Sequence, residues 1–175
     1  MYLEYLSLII DYYKTLNKRL VLYEICIPLL ISIGLYFVIN VTNLSLCVGF
    51  IKKSLPLLGI LVGFSITIIT ILTTSHSRNI ENIKNIKTKL KRGNDRITVY
   101  NLLIINFTYS VIIEIFLIII QLIYPFFSGF LGLNWKINGF IFSVYLLIHV
   151  LLLTIRNLTD FYFIISKPEK EPNNK

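Results

Sequence analysis

The sequence predicts an all-α, polytopic membrane protein with four transmembrane helices and an N-terminal amphipathic helix. Of its 175 residues 55% are apolar and only 15% charged, whereas a soluble domain carries about a quarter charged residues. Four apolar runs each reach about 20 residues, the length an α-helix needs to cross ~30 Å of hydrocarbon. The basic residues collect between those runs, which is where topology is written into a membrane protein.

Residues 1–20 form the amphipathic element. Glu4, Ser7, Asp11, Lys14 and Lys18 recur at spacings of three and four among Leu, Ile and Tyr, a single polar stripe on an apolar helix. Such a helix lies in the headgroup interface, a depth that suits Tyr2, Tyr5, Tyr12 and Tyr13, or packs against the inner ends of the spans. The charges ahead of the first long apolar run do not fit a cleaved signal peptide, so the segment is expected to be retained.

Residues 21–166 are expected to form the transmembrane domain. The first run, Val21 to Asn40, holds only Glu24 as a charge, and Pro28 is expected to bend it. The second, Leu55 to Thr74, is uncharged and carries a small-residue face of Gly59, Gly63 and Thr67, a GxxxG element that lets two helix backbones approach closely. Beyond it, Ile80, Ile83, Ile86 and Leu90 keep helical spacing while Lys84, Lys87 and Lys91 mark another face. The segment 76–98 therefore reads as a helical hairpin leaving the membrane, stopped and turned at Gly93-Asn94-Asp95. The third run lies between Arg96 and Pro125 with Glu114 alone inside it, and the fourth spans Ile137 to Ile155 with only His149 titratable. Their connection, Pro125 to Lys136, carries Phe126, Phe127, Phe130 and Trp135 and is expected to lie back on the outer interface. Residues 167–175, with Pro168 and Pro172, read as a disordered tail.

Orientation follows from the cations. Lys14, Lys18 and Arg19 precede the first span. Arg78, Lys84, Lys87, Lys89, Lys91, Arg92 and Arg96 fill the middle connection, and Arg156, Lys167, Lys170 and Lys175 sit at the end of the last span or after it. The other two connections hold only Lys52, Lys53 and Lys136. The positive-inside rule places both termini and the hairpin in the cytoplasm.

A charge at the bilayer centre costs about 2.5–3.5 kcal/mol on insertion scales, so it faces protein or water. Asn106, Ser110, Glu114 and Gln121, spaced four, four and seven, share one face of the third helix. Asn138, Tyr145, His149, Arg156 and Asp160 line the fourth in the same way. Counted at 1.5 Å per residue, Glu114 and His149 reach similar depth and can meet. Three readings stay open for them: hydrogen bonds that fix helix register, a wet pathway through a bundle or an oligomer, or a proton-coupled transport site. Near the inner leaflet, Glu24 pairs with Arg156, or Arg156 with Asp160. The small-residue face and the two polar faces leave more packing surface than four helices satisfy, which predicts a homo-oligomer.

Cys26 and Cys47 read as apolar filler, without metal spacing, and no cofactor is expected. HExxH, GxSxG and P-loop motifs are absent from the sequence, and the chain is not read as an enzyme. The hairpin cations are attracted to anionic lipid at about 1 kcal/mol each, and the same charges can dock a cytoplasmic protein. Direct nucleic-acid binding is not expected.

In size, four spans, inward termini, the basic segment Arg78 to Arg96 and its Ile, Asn and Lys bias, the chain resembles the small four-pass membrane subunits of bacterial anti-phage defence systems, the Kiwa membrane subunit among them. The resemblance implies a bacterial inner-membrane assembly that senses infection and works with a cytoplasmic nucleic-acid-binding partner, or a pore that depolarises the cell. It carries over no functional residue. An ion-conducting pore lined by Asn106, Ser110, Glu114 and Gln121 and a small proton-coupled transporter using Glu114 are the competing readings.

Overall fold

The computed structural model describes residues 2–41, 45–92, 95–128 and 132–166. Among the described residues the fold is all-α apart from one small β-hairpin, and four helical rods are long and apolar enough to cross a membrane, as a multi-pass membrane protein requires. Gly93, Asn94, the Gly129–Phe130 part of the aromatic connection and the tail from Lys167 lie outside the described residues.

Helix α1 (Tyr2–Thr15) opens the chain. Its buried side turns out to be Asp11, Tyr12 and Thr15, flanked by half-buried Leu8, while Ile10 and Tyr13 face outward. The polar stripe expected at an interface is thus partly turned inward: α1 packs on a later helix through Tyr12, and polar partners there reward burying polar side chains.

Helix α2 (Lys18–Val21), a π-helical turn (Leu22–Cys26) and α3 (Ile27–Val41) form the first rod. Pro28 has no N–H, so the carbonyl of Glu24 four residues earlier loses its helical partner. The backbone widens one turn before the proline, where the N–H of Ile27 reaches back five residues to Leu22. Proline here opens a π turn, a common device at functional positions in helices.

Helix α4 (Ser45–Thr74) is the second rod. It buries Ser54, Leu58, Ser65, Ile68 and Leu72, mainly against α6 (Val99–Ser128). Gly59 and Gly63 point elsewhere: a Cβ on either would meet nothing within 4 Å, and Thr67 is occupied with the Gly63 carbonyl at 2.7 Å. The GxxxG face therefore packs against none of the described residues.

The segment after α4 departs from the expected helical hairpin. Helix α4 ends at Thr74, and Ser77 caps a new short helix, α5 (Arg78–Asn85), by accepting from the Ile80 N–H at 3.4 Å. The chain then forms an antiparallel hairpin of β1 (Lys87–Arg92) and β2 (Asp95–Thr98). Hydroxyl side chains explain the break, since Ser and Thr hydrogen-bond the backbone locally and favour caps over helix interiors. Strict alternation in Lys-Thr-Lys-Leu-Lys-Arg then has the period of a strand.

Helix α6 and α7 (Leu133–Ile165) are the inner pair. In their most apolar stretches 44% and 56% of residues are buried, against 17% and 22% in the first two spans, so the first two rods keep most of their surface for lipid or another chain. Ile68, Leu72, Ile80, Ile83, Leu103 and Phe107 form one core cluster, which joins α5 to the end of the bundle. At the opposite end Pro125 continues α6, and the Tyr124 hydroxyl donates to the Lys136 carbonyl at 2.8 Å, tying α6 to the start of α7. Gly139 is required there, because a Cβ would lie 2.9 Å from the Tyr124 ring.

Candidate functional site

Three polar features are built into this bundle. The first is a charged cluster near the end that carries α1 and the β-hairpin. Glu24, fully buried, accepts a hydrogen bond from the Tyr12 hydroxyl and pairs with the Arg156 guanidinium. Arg156 also lies over the Tyr12 ring, 5.8 Å from its centre. Burial, with the Glu24 hydrogen bond, pushes the Tyr12 phenol well above its ordinary range, so it stays a donor. Tyr12 in turn stacks on Tyr109 of α6, ring centres 3.6 Å apart and nearly parallel.

The Glu24 backbone serves the same cluster from its other side. Its carbonyl, released by Pro28, accepts from His149 Nδ1 at 2.7 Å. A carbonyl only accepts, so Nδ1 carries the hydrogen, and Nε2 faces the Tyr109 hydroxyl at 3.2 Å. Side chains tilt toward a helix's N-terminus while carbonyls point toward its C-terminus. One residue of the first rod thereby holds two residues of α7 that lie two turns apart.

The second feature is a polar seam along α6. Asn106, Ser110, Glu114 and Gln121 share one face, and all four are buried. Glu114 Oε1 accepts from Ser110 at 2.8 Å and from Ser65 of α4 at 3.3 Å. Gln121 Oε1 accepts from Ser54 of α4 at 2.9 Å. Glu114 and His149, expected to meet, are not hydrogen-bonded to each other. Glu114 faces the serines of α4, whereas His149 faces Glu24 and Tyr109. Tyr145 stacks parallel to His149 at 6.4 Å and borders an apolar groove of about 590 Å³ between α3 and α7, which Asn138 also lines. Asp160 forms no ion pair within 4 Å of Arg156; the closer partner is Glu24.

The third feature is the basic platform. Arg78, Lys84, Lys87, Lys89 and Arg96 are all exposed; the side chains of Lys91 and Arg92 lie outside the described set. Beneath them Ile80, Ile83 and Ile97 are buried, and Asn79 Nδ2 donates to the Ile165 carbonyl at 3.2 Å, tying α5 to the end of α7. Lys84 sits over the Tyr100 ring at 5.2 Å. Thr88 binds the Ile97 carbonyl across the hairpin at 2.7 Å.

Reading the sequence missed Ser54, Ser65, Tyr12 and Tyr109. The serines carried a signal: they are eleven residues apart, three helical turns, on the same face as Leu58 and Leu72. The tyrosines carried none, since Tyr belongs equally to a membrane interface. No protein-family model, curated protein or solved structure matches the chain.

Proposed function

We propose that the chain is a non-enzymatic subunit of a bacterial inner membrane, with both termini and the hairpin in the cytoplasm, that docks an acidic soluble partner on its basic platform. The observation that carries this reading is the anchoring of the platform. Charge alone suffices to orient a membrane protein, and an unstructured loop would serve. Here α5 is instead packed into the core cluster of α4 and α6 and bonded to α7, which holds exposed cations in fixed relative positions. A fixed constellation of charge suits recognition of a partner.

Self-association goes with this reading. The outward Gly59, Gly63 and Thr67 face offers close approach to a second copy. In its architecture the chain is similar to membrane subunits of anti-phage defence modules, and membership of such a module is the cellular role we assign. The pore reading finds less support, because the face it would line is buried between α4, α6 and α7.

The test is purification from native membranes with Lys84, Lys87 and Lys89 changed to Ala. Loss of a co-purifying soluble protein, with the four-span fold and membrane insertion intact, is the expected result. Unchanged recovery of every soluble partner would remove docking at the platform.

A further inference from the structure

Near the hairpin end lies a cavity of about 200 Å³ lined by Thr15, Leu20, Leu102, Asn106, Arg156 and Asp160. Asp160 is exposed at its edge, and the volume holds several water molecules at ~30 Å³ each. Its deep wall is polar. Asn106 is 4% exposed, and neither its Oδ1 nor Arg156 Nε has a hydrogen-bond partner among the described residues. Buried polar atoms are almost always hydrogen-bonded, so this wall is built for water.

From that wall a polar ladder leads into the bundle. Asn106, Ser110 and Glu114 succeed one another at four-residue steps on α6, and Asn157 and Thr154 stand three apart on the buried side of α7. The groups facing the Glu114 carboxyl are the hydroxyls of Ser65 from α4, Ser110 from α6 and Thr154 from α7; none is charged. Both serines donate to Oε1, and the facing Thr154 hydroxyl donates to the Val150 carbonyl at 2.9 Å, so that Oε2 is buried without a donor among the described residues. An ionised Oε2 needs a donor, which water entering the seam supplies. Beyond Glu114 the route closes. Leu58, Leu117, Leu146 and Leu147 pack into one apolar layer between Glu114 and the Ser54–Gln121 pair.

We infer that Glu114 is a proton-exchanging site with one-sided access: water enters through the cavity at Asn106 and Asp160, follows the ladder to Glu114 Oε2, and is stopped by the leucine layer. The ligand is water and the proton it carries. This goes beyond partner docking and does not depend on it.

The experiment uses sealed vesicles of both orientations and a variant with Cys26 and Cys47 changed to Ser. Single cysteines are placed at Asp160, Asn106, Ser110 and Leu117 and challenged with a small membrane-impermeant thiol reagent. Reaction at 160, 106 and 110 from the hairpin side alone, with 117 unreactive from either side, is expected. Reaction at 160 with none at 106 and 110, or labelling at 117, overturns the inference. Because a cysteine could disturb the seam, the unsubstituted protein supplies a second readout. In infrared difference spectra the carboxyl band lost in Glu114→Gln must respond to a pH change on the hairpin side and not to one on the other side. A band that responds from the far side, or from neither, contradicts one-sided access.

Discussion

Glu24 shows how one residue can organise three helices. Its carboxylate joins α1 to α7, and its carbonyl takes a second residue of α7. Removing one partner of a buried ion pair strands the other charge, at a cost of about 3–5 kcal/mol. Arg156→Ala is therefore expected to lower the unfolding midpoint in detergent sharply, and Glu24→Gln with Arg156→Gln together to cost less than the sum of the two single changes, as contacting residues do. Tyr12 contributes a pH dependence. Its folded pKa lies above its unfolded value, so its contribution is fully present below the ordinary phenol range and is lost as pH rises through the raised value. Alkaline unfolding followed by tyrosinate absorbance should be less steep in Tyr12→Phe, and that variant should also lose about 1–3 kcal/mol at neutral pH, because Glu24 Oε2 loses its donor.

Among the helices, proline and glycine make separable predictions. Pro28→Ala restores an N–H that competes for the Glu24 carbonyl. The expected outcome is an α-helical Leu22–Cys26 turn and a changed His149 ring environment, read by nitrogen NMR of the labelled imidazole. Gly139→Val drives a side chain into the Tyr124 ring, with an expected cost of about 1–3 kcal/mol. A Cβ at Gly63 would meet nothing within 4 Å among the described residues, so Gly63→Leu should leave monomer stability nearly unchanged while abolishing the cross-linked oligomers that the proposed self-association predicts; oligomers that form and persist in the variant would exclude the α4 face. The four spans were legible in the sequence because hydrocarbon thickness leaves few alternatives to a long apolar helix. The α6 stripe was legible as one face for the same periodic reason, but its partners were not. Sequence spacing fixes which residues share a face, and says nothing of which neighbouring helix that face meets. The hairpin was misread because Ile80, Ile83 and Ile86 keep helical period up to the point where Lys87, Lys89 and Lys91 change to a period of two, and a two-residue Gly-Asn connection is itself a hairpin signal.

The molecule as a whole is asymmetric along the membrane normal. One end gathers α1, the Glu24–Arg156 pair, α5 and the basic hairpin; at the other the Tyr124–Lys136 hydrogen bond ties α6 to α7. The two outer rods keep most of their surface available. These features fit an assembly that meets other copies in the plane of the membrane and a soluble partner at one face. A photo-cross-linking amino acid at Lys89, on the exposed edge of β1, tests this in intact native cells. The account predicts a discrete adduct with one soluble cytoplasmic protein, lost when Lys84 and Lys87 are changed to Glu. Adducts with lipid alone, or reactivity only from outside the cell, would contradict it.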